Sequence, residues 1–370
     1  MTELIVHNVH KKLGNVQVLA GASFTAGRGE IVALLGASGS GKTTLLRSIA
    51  GLEQPEAGRI EIGGKPVFDS AKNICLAPEE REIGLVFQSY ALWPHKTVFE
   101  NVAYGLRLRG VGNKECTGRV HTILERLGLG HLADRFPNQL SGGQQQRVAL
   151  CRALVYNPKV LLLDEPLSNL DAKLREEARF WIRQLILQFQ ICAVVVTHDQ
   201  AEALVMSDHV LLLSDGNIVQ SGTPQEIYHR PATLFCAQFM GTNNLLDGQA
   251  KREGSEGSEW SIAGEGWSLR AEPRQQIDDG QPATAVIRVE RVSITDQPGP
   301  NRLRMEIEGA AYMGEHWEYL LGNGRLKLRA RSPVELPPGG VWCELPPGHL
   351  WIYPRNPNAE PASPLAIAAE

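Results

Sequence analysis

The apolar run Ile31–Leu35 breaks abruptly into Gly36-Ala37-Ser38-Gly39-Ser40-Gly41-Lys42-Thr43-Thr44, and apolar spacing then becomes helical, with Leu45, Leu46 and Ile49 on one face. This fits G-x-x-x-x-G-K-[ST] in the setting the pattern requires, with a strand running in and a helix running out. The glycines let backbone N–H groups turn inward, and the helix start adds partial positive charge. Residues 36–44 therefore read as a phosphate cradle. Lys42 is placed to reach the β- and γ-phosphates, and the Thr43 hydroxyl to hold Mg²⁺.

Three further features agree with an α/β chain built on a parallel sheet. Val160–Leu163 and Ala193–Val196 are continuous apolar runs, as expected of strands buried on both faces. Ala172–Gln190 mixes charged and apolar residues at helical period, and Val210–Leu213, Asp215-Gly216-Asn217 and Ile218–Val219 read as a hairpin. Leu4–Val9 and Val16–Phe24 predict a small antiparallel sheet. After Gly241 the texture changes. Lys251–Gly266 is rich in Gly, Ser and Glu and predicts a loop or a weak hairpin. Short alternating runs follow, at Ala285–Val289, Arg302–Ile307, Tyr319–Leu321, Leu326–Ala330, Trp342–Leu345 and Leu350–Tyr353, which predict a small all-β domain. The Pro- and Ala-rich tail after Pro354 is expected to be disordered.

Candidate chemistry gathers at the ends of the apolar runs. Asp164 and Glu165 end Val160–Leu163, where Asp164 suits Mg²⁺ and Glu165 suits the general base that polarises a water. Gln88 follows a strand predicted at Ile83–Phe87 and is placed to reach the Mg²⁺ or the water. His198 follows Ala193–Thr197 and is placed to touch the γ-phosphate. Leu140-Ser141-Gly142-Gly143-Gln144-Gln145-Gln146-Arg147 offers a hydroxyl and bare amides to a second phosphate. A lone His or Gln after a strand is usually structural. It is the fixed order of all these features that carries the reading.

That order resembles the ATP-binding cassette (ABC) ATPases, over residues 1 to about 235. The resemblance implies an α/β P-loop NTPase domain with a helical subdomain at about 89–157, and ATP with Mg²⁺ as the bound pair. It makes Leu140–Arg147 the family signature, with Ser141, Gly142, Gly143 and Gln144 contacting ATP in trans. It also makes Ser168–Asp171 the D-loop, with Asp171 at its end, and His198 the switch histidine. It implies a head-to-tail homodimer holding ATP between the P-loop of one chain and the signature of the other. Many relatives stack an aromatic ring on adenine near the N-terminus. Leu13 stands there in this chain, so no adenine contact is assigned.

Residues 236–355 resemble the small β-barrel (an OB-like or TOBE domain) that follows the cassettes of bacterial importers, through Gly241–Asn244, Val286–Glu290 and Gly309–Gly314. The wording of Pro66–Glu82 and Ala91–Thr97 is most similar to ferric-iron importers, with polyamine and then sulfate importers as alternatives. The resemblance implies an ATPase peripheral to the cytoplasmic face of the bacterial inner membrane. Two membrane-spanning permease subunits would be contacted through Gln88–Leu106, whose aromatics suit a groove for a partner helix, and a substrate-binding protein would act indirectly. A soluble cassette ATPase working on nucleic acid or ribosomes is the different-class alternative. A mild net charge of −4, the lack of heptads between P-loop and signature, and a single cassette argue against it. The six cysteines form no Cys-x-x-Cys pair, so reduced buried thiols are expected rather than a metal site. No apolar run approaches the roughly 20 residues that span a bilayer.

Overall fold

The computed structural model describes residues 2–253, 259–324 and 326–355. The tail expected to be disordered lies outside them from residue 356 onward. The chain divides into two compact units, Met1–Gln225 and Glu226–Glu370.

The first unit begins with β1 (Thr2–Leu13), β2 (Val16–Gly27), β3 (Ile31–Leu35), α1 (Lys42–Ala50), β4 (Ala57–Ile62), β5 (Lys65–Asp69), β6 (Ile74–Cys75) and β7 (Ile83–Val86). It continues through α2 (Val98–Leu108), α3 (Asn113–Arg126), α4 (Gly142–Leu154), β8 (Val160–Asp164), α5 (Ala172–Phe189), β9 (Cys192–Thr197), α6 (Gln200–Met206), β10 (His209–Ser214) and β11 (Asn217–Gly222). One sheet has the order β2-β1-β4-β5-β6 and is antiparallel throughout. The other has the order β11-β10-β3-β9-β8-β7, and all its pairs are parallel except β10 with β11.

Every residue of β3, β8 and β9 is buried, which explains why these segments are uninterrupted apolar runs. Successive side chains serve two cores. Val32, Leu34, Leu162 and Val194 pack with Leu45, Leu46 and Ile49 of α1 and with Leu4 and Val6 of the antiparallel sheet. Ile31, Leu161, Leu163 and Val195 pack with Val102, Leu106, Val148 and Ile182 on the opposite face. Truncating one such leucine to alanine costs about 2–5 kcal/mol. The parallel sheet is thus clamped from both sides, and its C-terminal edge is fixed in place.

Next along the chain come α7 (Pro224–His229) and α8 (Leu234–Phe239). The strands of the second unit are β12 (Asn243–Glu253), β13 (Glu259–Gly264), β14 (Trp267–Arg270), β15 (Glu272–Pro273), β16 (Pro282–Arg288) and β17 (Ser293–Thr295). They are followed by β18 (Arg302–Tyr312), β19 (Trp317–Asn323), β20 (Leu326–Ser332), β21 (Gly340–Glu344) and β22 (Trp351–Pro354). They form two sheets, β14-β13-β12-β16-β22-β15 and β17-β21-β18-β19-β20, which share one core containing Leu246, Ile287, Met305, Tyr319, Leu328 and Ile352. The Asn244 side chain joins the sheets as a strand backbone would, donating to Arg329 O at 2.8 Å and accepting from Arg329 N at 2.6 Å. The Gly/Ser/Glu-rich stretch forms a hairpin, in register from Gln249↔Ala263 to Glu253↔Glu259, with residues 254–258 outside the description. Of the two expectations for Lys251–Gly266 the hairpin is the one observed, with Gly264 at a strand position where an added Cβ would stand 2.4 Å from the Trp267 ring.

Candidate active site

Strands β3, β9, β8 and β7 lie side by side and parallel, so their C-terminal ends share one edge. Open parallel sheets bind ligands outside that edge. It carries the P-loop after β3, His198 after β9, Asp164 and Glu165 at the end of β8, and Gln88 after β7.

Close backbone approach dictates the P-loop's glycines. A Cβ at Gly36 would stand 2.3 Å from Leu213 O, and one at Gly41, where φ is +101°, would stand 2.5 Å from Val18 O. Gly41 is the N-cap of α1 and supplies no side-chain cap, so the first amides of the helix are left for a ligand. Lys42 Nζ donates to Gly36 O at 2.8 Å and Ala37 O at 2.7 Å, within its own loop. Burial pushes the lysine's pKa down, and the charges of Glu165 and Asp164 oppose that shift. Thr43 Oγ1 donates to Asp164 Oδ1 at 3.4 Å. Burial pushes the Asp164 carboxyl up. Arg47, one turn beyond Thr43, pulls it back.

Glu165 has φ +44°, a left-handed conformation that costs a side-chain-bearing residue roughly 1–2 kcal/mol. Its own N–H donates to Val196 O at 3.0 Å, which ties the turn to β9. The twist aims its carboxylate between two neighbours. Gln88 Nε2 donates to Oε2 at 3.0 Å, and His198 Nδ1 lies 3.3 Å from Oε1. The Glu165 side chain is 21% exposed and that of His198 63%. Asn169 Nδ2 donates to Gln88 O at 2.6 Å, so the segment after Glu165 also holds the backbone of Gln88. Asp171 caps α5, accepting from Leu174 N at 3.0 Å.

Ser141, Gly142, Gly143 and Gln144 form the first turn of α4. Ser141 N donates to Gln144 Oε1 at 2.9 Å, and Gln144 N donates to Ser141 Oγ at 3.3 Å, in a reciprocal cap. The serine oxygen accepts there and keeps its proton to give. Ser141 and Gly142 are exposed. Among the described residues, no hydrogen bond of this turn reaches the P-loop. Gln146, buried one turn on, donates to Pro166 O at 2.9 Å and ties α4 to the strand-end carboxylates.

The Gln88–Leu106 segment lines a groove of about 490 Å³, with Ala91, Trp93, Tyr104, Arg109, Arg152 and Tyr156 among its walls. Tyr90 (φ +60°) and Ala91 (φ +47°) are consecutive left-handed residues. Arg152 donates to both their carbonyls, at 2.7 Å to Tyr90 O and 2.6 Å to Ala91 O, while lying over the Trp93 ring. The buried Asn101 closes the far end of the loop through Trp93, Lys96 and Thr97. Leu13, at the turn between β1 and β2, is 49% exposed.

Several of these residues escape a reading of motifs. Arg47 was discoverable as the residue one helical turn after Thr43, on the same face. Arg152 lies inside an amphipathic helix, and nothing in its spacing marks it, while Gln146 falls within the signature but its tie to Pro166 does not show there. Their partners are backbone carbonyls, which leave no trace in a sequence.

A glycine cradle at a helix start, joined to strand-end carboxylates across a parallel sheet, defines a nucleoside-triphosphatase of the P-loop class. Residues 19–168 match the ABC transporter family model. The chain is 46% identical over 327 residues to the protein named Fe(3+) ions import ATP-binding protein FbpC of Brucella melitensis, covering 88% of this chain and 90% of that one. It is 43% identical over 324 residues to FbpC 1 of Haemophilus influenzae, covering 88% and 95%. Among solved structures it resembles cbiO1 of Clostridium perfringens, part of an ABC transporter complex. The TM-score is 0.55 at 33% identity, covering 61% of this chain and 90% of that one. A dimeric bacterial ABC transporter cassette gives a TM-score of 0.51 at 33% identity, covering 60% and 98%. The chain belongs to the ABC transporter family, as an ATP-hydrolysing component. Among the described residues no helix is long and apolar enough to cross a membrane.

Proposed function

We propose that this chain drives ferric-iron import. Two copies would pack head to tail on the cytoplasmic face of the inner membrane, beneath two permease subunits fed by a substrate-binding protein. The iron is cargo, and the names of its relatives support that choice over a polyamine or sulfate. The observation that carries the hydrolytic reading is the array Gln88–Glu165–His198 beside the P-loop.

The triphosphate of ATP lies along the amides of residues 36–44, and Lys42 exchanges its loop carbonyls for β- and γ-phosphate oxygens. Mg²⁺ fits the donors present. Thr43 Oγ1 and Asp164 Oδ1 are hard oxygens 3.4 Å apart. Mg²⁺ takes few protein ligands and completes its shell with phosphate and water. Held by Thr43 and Asp164, the ion would supply positive charge to offset that of the phosphates. Glu165 accepts a proton from the attacking water, whose oxygen bonds to the γ-phosphorus as the bond to ADP breaks. Gln88 and His198 orient that water and the γ-phosphate. Ser141, Gly142 and Gly143 of a second chain donate to the same γ-phosphate, so turnover needs both copies. The groove along Gln88–Leu106 receives a short helix from a permease. Detergent co-purification tests the partners. The expected result is recovery with a membrane protein, and recovery only on nucleic acid or ribosomes would refute it. Uptake by cells lacking the gene tests the cargo. Loss of ferric-iron uptake is expected, and loss confined to polyamine or sulfate would reassign it.

A further inference from the structure

We infer that Arg152 is a positioning residue for hydrolysis, holding Gln88 against Glu165 by clamping the two left-handed residues that follow it. The inference rests on Gln88 and Glu165 being hydrolytic residues, as read above. Four residues, Gln88 to Ala91, turn sharply, with Tyr90 N donating back to Phe87 O at 2.9 Å. Tyr90 and Ala91 sit at φ +60° and +47°, where a side chain is disfavoured and the loop would relax if released. The segment is fixed at both ends. Gln88 is held by Glu165 and Asn169. Tyr90 O and Ala91 O are held by the two prongs of one guanidinium. A planar fork suits two adjacent carbonyls, and a lysine ammonium cannot reproduce that geometry.

Position adds a second argument. Arg152 borders the groove, with Trp93 beneath its guanidinium. It also belongs to α4, the helix whose first turn is Ser141–Gln144. Arg152 and Ala91 line the groove and Gln88 does not, so an occupant would touch the clamp rather than the glutamine. The same arginine therefore ties the groove wall, the water-orienting glutamine and the signature helix to one another.

The test uses the full chain, following ATPase kinetics and binding of a fluorescent ATP analogue. Arg152→Met is expected to lower kcat about tenfold while leaving nucleotide affinity within about twofold, because the P-loop is untouched. Arg152→Lys is expected to fall between the two, and it carries the test if the methionine variant does not fold. Combining Arg152→Met with Gln88→Ala is expected to cost little beyond Gln88→Ala alone, as for residues acting in one unit. Adding Ala91→Gly to either arginine variant is expected to recover part of kcat, since glycine adopts positive φ without a clamp. A purely packing role for Arg152 would not respond to that change. Additive losses, or no recovery by Ala91→Gly, would overturn the inference. Gln88→Ala with a lowered kcat beside an unaltered Arg152→Lys and Arg152→Met would overturn it alone. A kcat untouched by Gln88→Ala would remove the reading of Gln88 and this inference together.

Discussion

Two helix starts in this chain are proposed to meet phosphate, and they are built differently. At α1 the N-cap is Gly41, no side chain caps the helix, and Lys42 rests on loop carbonyls. Its amides have no internal substitute for a ligand. At α4 the cap is reciprocal: Ser141 and Gln144 satisfy each other's backbone N–H groups. In the proposed reading, the first site takes a triphosphate by itself. The second has only a hydroxyl proton and glycine amides to spare, which suits a phosphate already held by another copy. Under the head-to-tail pairing proposed above, one polypeptide would carry a strong half-site and a weak one, and a pair of chains would combine them.

The largest expected effect removes chemistry and leaves both half-sites intact. Glu165→Gln should lower kcat by about 10²–10⁴-fold while ATP still binds, and size-exclusion with ATP should show an accumulated dimer. Near-normal turnover would strip Glu165 of its role as base. Lys42→Ala attacks the strong half-site. Removing a charged donor to phosphate costs about 1.5–3 kcal/mol, or roughly 10–150-fold in ATP affinity by fluorescence titration. Ser141→Arg attacks the weak one. ATP affinity of the single chain should stay within about twofold, and the ATP-dependent dimer should vanish. If affinity fell as far as for Lys42→Ala, the contrast drawn above would collapse.

The smallest effects are on stability. Gly41→Ala places a side chain at φ +101° and 2.5 Å from Val18 O, so unfolding should become easier by about 1–3 kcal/mol in a thermal melt. Gly143→Ala meets nothing within 4 Å in the first turn of α4 and should raise stability by about 0.5–1 kcal/mol, as glycine is costly in a helix. Equal melting shifts would mean that the two turns are not built on different terms.

The parallel sheet and its edge were legible because full burial on two faces leaves an unmistakable apolar run, as in Val160–Leu163 and Ala193–Val196. The P-loop was legible because Leu213 O and Val18 O leave room only for glycine at positions 36 and 41. The strands Ala57–Ile62 and Lys65–Asp69 were not recognised. The first alternates only over Arg59–Ile62, with Ile60 and Ile62 buried, and the second ends in the consecutive buried residues Val67, Phe68 and Asp69, which no alternation marks. Within the site, Glu165 and His198 announced themselves at strand ends. Their convergence on Gln88 did not, because it depends on the strand order β9-β8-β7, a property of the sheet and not of any local stretch. Arg152 stayed hidden for a related reason, since a carbonyl partner may belong to any residue type.

Helix α4 has 13 residues, beginning just after Ser141 and carrying Arg152 near its far end. The eleven steps between those two side chains amount to about 16 Å of stiff rod. Pivoting such a rod by roughly 5° swings its tip by about 1.4 Å, which, directed along a donor–acceptor line of about 2.8 Å, takes the contact beyond hydrogen-bonding reach. If the signature turn meets a neighbour's nucleotide as proposed, a nudge at the aromatic wall and the making or breaking of that contact are opposite ends of one lever.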